Sequence, residues 1–179
     1  FGVTEYDLNT EVELIKSLLS WNPAGLIVTG LDQSEEAQAL LAGAAIPIVQ
    51  IMDTDGAPVG SAIGFSHFEA GREMAEALVA RGRRRFGYVG CGLARDLRAK
   101  RRLDGFRAGL QALGLDLLGE MINPELSSTK AGKQLTSDLV SAHPELDCIY
   151  YSNDDVAVGG VFYCLKEGID LEHRLLLAG

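Results

Sequence analysis

Leu26-Ile27-Val28-Thr29, the stretch 34–42, and Ile46-Pro47-Ile48-Val49-Gln50-Ile51-Met52 read in succession as strand, helix and strand. The first run is short, branched and bounded by Gly25 and Gly30, the pattern of a strand covered on both faces. Pro47 stands at the entrance of the second run, where a missing amide costs least. Toward the amino end, Thr10 and Glu13 have the S/T-x-x-E spacing and predict a helix start at Thr10. Val12, Ile15, Leu18 and Leu19 follow at helical spacing, and Pro23 ends the pattern. Toward the carboxyl end, Ala62-Ile63-Gly64-Phe65 forms a third run. Ser66 with Glu69 makes a second capping box, opening a helix through Met74, Ala75, Leu78 and Val79 that Gly82 closes. Phe86-Gly87-Tyr88-Val89-Gly90 reads as strand, and Leu103, Phe106, Leu110 and Leu113 as a helix stopped by Gly114. A helix over 129–141, the run Cys148-Ile149-Tyr150-Tyr151, a helix over 154–166 and Leu175-Leu176-Leu177 complete the series. Such alternation predicts an α/β protein with parallel sheets and right-handed crossovers. Ligands of open parallel sheets sit beyond the carboxyl ends of the strands. The residues there are Asp32, Asp53, Ser66, the segment 93–102, Asn153 and Asp154.

Composition narrows the function. With 179 residues, 47% of them hydrophobic and 23% charged, the chain has the balance of a folded globular protein. Sixteen Lys and Arg face twenty-five Asp and Glu, and the net charge of −9 predicts no bulk grip on a phosphate backbone or an anionic membrane surface. No apolar run reaches the ~18 residues of a membrane-spanning helix, and Phe1-Gly2-Val3-Thr4 has neither a basic region nor a cleavage site. Cys91, Cys148 and Cys164 are odd in number and lack a CxxC pair, which fits a reducing cytoplasm better than a disulfide frame or a zinc site. The missing initiator Met and the end on Leu175-Leu176-Leu177-Ala178-Gly179, which reads as an unfinished buried strand, predict a fragment cut at both ends.

Signatures of catalysis fail one by one. Gly90-Cys91-Gly92-Leu93-Ala94-Arg95 follows a strand as a dinucleotide fingerprint would, but Arg95 replaces the third glycine and no acid follows at the right distance. GxxxxGK[ST] is absent, so no cofactor is expected. Ser66 and His67 are adjacent without a G-x-S-x-G elbow, and capping explains the serine. His67, His143 and His173 lie far apart, as surface or helix-end residues rather than metal ligands. Asp154-Asp155 and the Asp53, Asp55 pair suit caps and turns. Two basic runs remain. Arg81-Gly82-Arg83-Arg84-Arg85 surrounds a helix end that favours cations, and a structural, solvated role is expected. Arg98-Ala99-Lys100-Arg101-Arg102 lies at a helix start, where positive charge opposes the dipole, which invites a functional reading. Arg102 beside Asp53 and Asn153 would offer donors and acceptors suited to the hydroxyls or carboxylate of a small sugar-like ligand.

Several stretches together resemble the effector-binding core of the LacI/GalR family of bacterial repressors. They are Ile46-Pro47-Ile48-Val49-Gln50-Ile51-Met52-Asp53, Gly64-Phe65-Ser66-His67-Phe68-Glu69-Ala70-Gly71-Arg72, and the run from Leu78 through Arg83-Arg84-Arg85-Phe86 to Gly90. Arg102-Leu103-Asp104-Gly105-Phe106 resembles the family's R-x-x-G-[FYW] helix, and Asn153-Asp154-Asp155-Val156-Ala157-Val158-Gly159 its N-D-x-x-A-x-G turn. Val49-Gln50-Ile51-Met52-Asp53 is similar to regulators of gluconate operons. The resemblance implies a periplasmic-binding-protein-like fold of type I, with two doubly wound parallel-sheet subdomains, residues 1–66 and 67–179, each incomplete. It further implies a crossing of the chain near Ser66 and an effector in the interlobe cleft. Carried over by position, the pocket falls on Asp53 and Phe65 from the first lobe and on Arg98, Arg102 and Asn153 from the second. The implied protein is not an enzyme. It is a cytoplasmic homodimer that senses a sugar or sugar acid and contacts operator DNA through a helix-turn-helix domain absent from this chain. An extracytoplasmic sugar-binding protein of a transporter, or a sugar- or nucleotide-metabolising enzyme, are the alternative readings.

Overall fold

The computed structural model describes residues 1–179 as two compact units, Phe1–His67 and Phe68–Gly179. In the first, α1 (Leu8–Ser20), β1 (Leu26–Thr29), α2 (Glu35–Gly43), β2 (Ile48–Ile51) and β3 (Ser61–Ile63) build a three-stranded sheet in the order β1-β2-β3. Every pairing is parallel. Val12 and Ile15 from α1, Ala37 and Leu41 from α2, and Leu26, Val28 and Ile48 from the strands form one core. Both helices therefore pack on one face of the sheet. The expectation of a doubly covered β1 is corrected here: its burial alternates, and Ile27 is 70% exposed on the opposite face. The predicted start of α1 also moves. Asp7, with extended backbone, accepts a hydrogen bond from the Thr10 amide at 2.7 Å, so Asp7 caps the helix and Thr10 lies inside it.

The second unit contains α3 (His67–Ala80) from its second residue on, β4 (Phe86–Cys91), α4 (Leu97–Ala112), β5 (Leu117–Asn123), α5 (Thr129–Ala142), β6 (Cys148–Tyr151), α6 (Asp154–Glu167) and β7 (Leu176–Ala178). Its parallel sheet has the order β5-β4-β6-β7. Strands β4 and β6 are buried along their whole length, as two-sided helix cover requires. Phe86, Tyr88, Cys148 and Tyr150 face a core with Leu78, Leu103, Phe106 and Leu110, whereas Val89, Cys91, Ile149 and Tyr151 face one with Leu139, Val156 and Cys164. Of the buried strand expected for Leu175-Leu176-Leu177, Leu175 is fully buried, whereas the short β7 that follows it is only half-buried. Strand β5 was missed by sequence patterning, because LLGEMIN mixes polar with apolar residues and shows no clean alternation.

The first arginine run is structural, as expected, but engaged rather than merely solvated. Arg83 donates to the carbonyls of Glu172 and His173, and the Arg84 and Arg85 amides donate to the Asp147 carboxylate. The three cysteines are buried and free. No helix is long and apolar enough to cross a membrane.

Helices α3 and α4 meet backbone to backbone. A Cβ at Gly71 would strike the Arg102 carbonyl, and one at Gly105 would strike the carbonyl of Phe68. Gly105→Ala is expected to cost about 2 kcal/mol by overpacking this contact, measured as a fall in the denaturant midpoint.

Candidate functional site

In the second unit the strand order reverses beside β4, which has β5 on one side and β6 on the other. The carboxyl ends of β4 and β6 thus form a topological switch point, the standard location for a ligand on a doubly wound sheet. Gly92, with φ of 65°, turns the chain out of β4, and the amides of Arg95 and Asp96 donate back to its carbonyl. Asp96 then caps α4 by accepting from the Ala99 amide at 3.0 Å. A carboxylate at this position offsets the positive charge of the helix start, as does the Lys100–Asp104 pair at 2.8 Å. Arg98 and Arg102 lie one turn apart on α4, and both are half-buried.

Arg102 Nη2 donates to the Ser152 carbonyl at 2.8 Å, fastening α4 to the turn between β6 and α6. The next residue is Asn153. Its Oδ1 accepts from the Val156 amide at 3.2 Å, capping α6, and its Nδ2 donates to Ser127 Oγ at 2.7 Å. The structure therefore brings Arg102 and Asn153 to the same switch point. Beneath them, burial pushes the Tyr150 hydroxyl above its ordinary pKa, an effect that the Arg102 guanidinium opposes. A separate cleft of about 510 Å³ runs between α5 and α6, lined among others by Asn123, Lys130, Lys133, Gln134, Tyr163 and Lys166. Arg98, Arg102 and Asn153 take no part in it.

In the first unit the corresponding position is the carboxyl end of β2. Asp53 is fully buried, and its Oδ1 accepts from the Asp55 amide at 2.8 Å, an Asx-type turn. Phe65 is half-exposed, with its ring centroid 4.6 Å from that of His67. His67 begins α3, in keeping with the expected helix-end position, and it is buried there rather than exposed, at 3%. Its Nε2 lies 2.8 Å from the carbonyl oxygen of Met52. Sequence reasoning also passed over a buried amide pair: Gln50 Nε2 donates to Gln33 Oε1 at 2.8 Å, and Gln50 Oε1 accepts from the Val59 amide at 2.7 Å. The one available signal was a glutamine at an inward position of an otherwise apolar strand.

Residues 3–175 match the family described as periplasmic binding proteins and sugar binding domain of LacI family. The chain belongs to this family. Among relatives of this LacI-family core, the HTH-type transcriptional regulator GntR of Pseudomonas aeruginosa is 36% identical over 179 residues, covering 99% of the chain and 52% of that protein. A LacI-family transcriptional regulator from Silicibacter pomeroyi superposes with a TM-score of 0.95 at 42% identity, over 99% of this chain and 54% of that one. The transcription regulator GntR of Chromobacterium violaceum superposes with a TM-score of 0.90 at 33% identity, over 99% and 65%. The LacI-family core thus spans about half the length of the curated relatives it matches. These relatives are transcriptional regulators, so the transporter alternative is not favoured.

Burial raises the thiol pKa of Cys91 and Cys164 and pushes that of Cys148 up to about 12. At pH 8 the native core is expected to leave all three thiols unreactive toward an aromatic disulfide reagent, and denaturant is expected to release three equivalents.

Proposed function

We propose that the chain is the effector-sensing core of a dimeric, cytoplasmic DNA-binding repressor, that it takes a sugar acid such as gluconate, and that it catalyses nothing. The observation that carries this reading is the pair Arg98 and Arg102 on one face of α4 at the switch point of the second unit, beside the Asn153 cap. Two guanidinium groups suit a carboxylate better than a neutral ring does. The resemblance of Val49-Gln50-Ile51-Met52-Asp53 to regulators of gluconate operons supports the same ligand class. In this reading Asp53 accepts from effector hydroxyls, Phe65 lies against the carbon skeleton, Arg98 and Arg102 take the carboxylate, and Asn153 adds its remaining amide capacity. Operator DNA is bound by a helix-turn-helix domain outside these residues.

Signalling is a population shift. An effector that touches both units binds one arrangement of them better than another, and only that difference in affinity can bias an attached DNA-binding domain. Dimerisation uses an apolar ridge. Val158, Phe162 and Leu165 are exposed at i, i+4 and i+7 on α6, a stripe suited to a second copy of the chain.

Gluconate at a hundredfold its dissociation constant is expected to stabilise the full-length protein by about 2.7 kcal/mol in thermal unfolding. Arg102→Ala is expected to weaken gluconate binding about 30-fold in calorimetric titration, the loss of about 2 kcal/mol for a charge-assisted donor. An unchanged affinity in that variant would remove the pocket assignment. Phe162→Glu is expected to convert the dimer to monomer in sedimentation equilibrium without lowering the helix content.

A further inference from the structure

Met52 joins the end of β2 to the buried Asp53 with φ of 70°, a left-handed conformation that a side chain disfavours. Three contacts hold it there. The Met52 amide donates to the Ile63 carbonyl at 2.9 Å, which continues the β2–β3 pairing by one residue. Gly64 lies flat against the Met52–Asp53 peptide: a Cβ at this position would meet the Asp53 amide nitrogen and come within 2.8 Å of the Met52 carbonyl carbon. Finally, the Met52 carbonyl oxygen meets His67 Nε2 at 2.8 Å, and because a carbonyl only accepts, Nε2 carries the hydrogen. The imidazole is buried and braced by the Phe65 ring.

The plane of the Met52–Asp53 peptide sets the direction in which Asp53 leaves the backbone. A one-residue turn in a disfavoured conformation keeps that direction only while its surroundings enforce it. Met52 O is its polar end, and His67 is the side chain that holds it. His67 is also the last residue of the first unit, so the group that orients Asp53 sits where the chain passes into the second. We infer that His67 is a positioning residue for effector recognition: its Nε2–H fixes the Met52 carbonyl and thereby aims the Asp53 carboxylate at the effector's hydroxyls. This rests on the reading that Asp53 contacts the effector.

The test is a double-mutant cycle on the full-length protein, with gluconate affinity measured by calorimetric titration and folding by denaturant midpoint. His67→Leu keeps the volume without the donor, and His67→Gln places an amide N–H close to where Nε2 stands. Loss of one oriented hydrogen-bonding group corresponds to about a tenfold change in affinity. Expected are weakening of about that size in H67L, recovery of most of it in H67Q, and no further weakening when H67L is added to D53N, because the two act through one contact. His67→Asn, too short to reach Met52, replaces H67L should the latter not fold, with the same expectation. Wild-type affinity in H67L beside a weakened D53N overturns the positioning role alone, as does full additivity of the two losses. Unchanged affinity in D53N overturns the assignment of Asp53 to the effector and this inference with it.

Discussion

Helices α3 and α4 touch through their main chains, and the chemistry of the second unit hangs from that contact. Gly71 and Gly105 admit no methyl group between the helices, so α4 is set at one height and one rotation against α3. Phe106 and Leu110 then fill the space above β4, and Arg102 emerges where the carboxyl ends of β4 and β6 diverge. A helix pinned this closely presents an arginine with little freedom to relax. The Ser152 carbonyl takes up one of its donors, and that bond is one of the contacts that orient the guanidinium.

Both units use the same local device, a strand that ends in a residue with left-handed backbone. In the first unit Met52 turns the chain out of β2 toward Asp53. In the second, Gly92 does so after β4, and Asp96 and Asn153 cap the helices that follow. Polar groups gather at these ends because the capping residues and first-turn amides are there, while β4 and β6 themselves are buried along their whole length. Gln50 is an exception inside a strand. Its amide closes onto Gln33 and Val59, a satisfied pair that ties the stretch before β3 to the end of β1 without leaving a donor idle.

The alternation of strands and helices was legible because it rests on runs of apolar residues, a signal that survives in one sequence. Leu26–Thr29 and Cys148–Tyr151 fall where patterning placed them, and the helix expected over 34–42 is α2, Glu35–Gly43. Strand β5 was illegible because an edge position relaxes the demand for apolar residues on both faces. The start of α1 was misread because Thr10–Glu13 has the spacing of a capping box, whereas the chain turns into the helix one turn earlier, at Asp7, whose carboxylate accepts from the Thr10 amide. The arginines of α4 and the Asn153 cap could be singled out by motif and by charge opposing a helix dipole. His67 could not, since its role depends on Met52, fifteen residues earlier, adopting a backbone angle that no side-chain pattern encodes.

Asn153 carries two duties that pull on one carboxamide: its oxygen holds the first turn of α6, and its nitrogen holds the Ser127 hydroxyl just before α5 begins. Any substitution there disturbs two helix entrances at once, so if Asn153 meets the effector as proposed, ligand preference has little room to evolve at this position. Divergence between paralogues should instead accumulate at Phe65, whose half-exposed ring can change size or polarity while the framework around it stays in place.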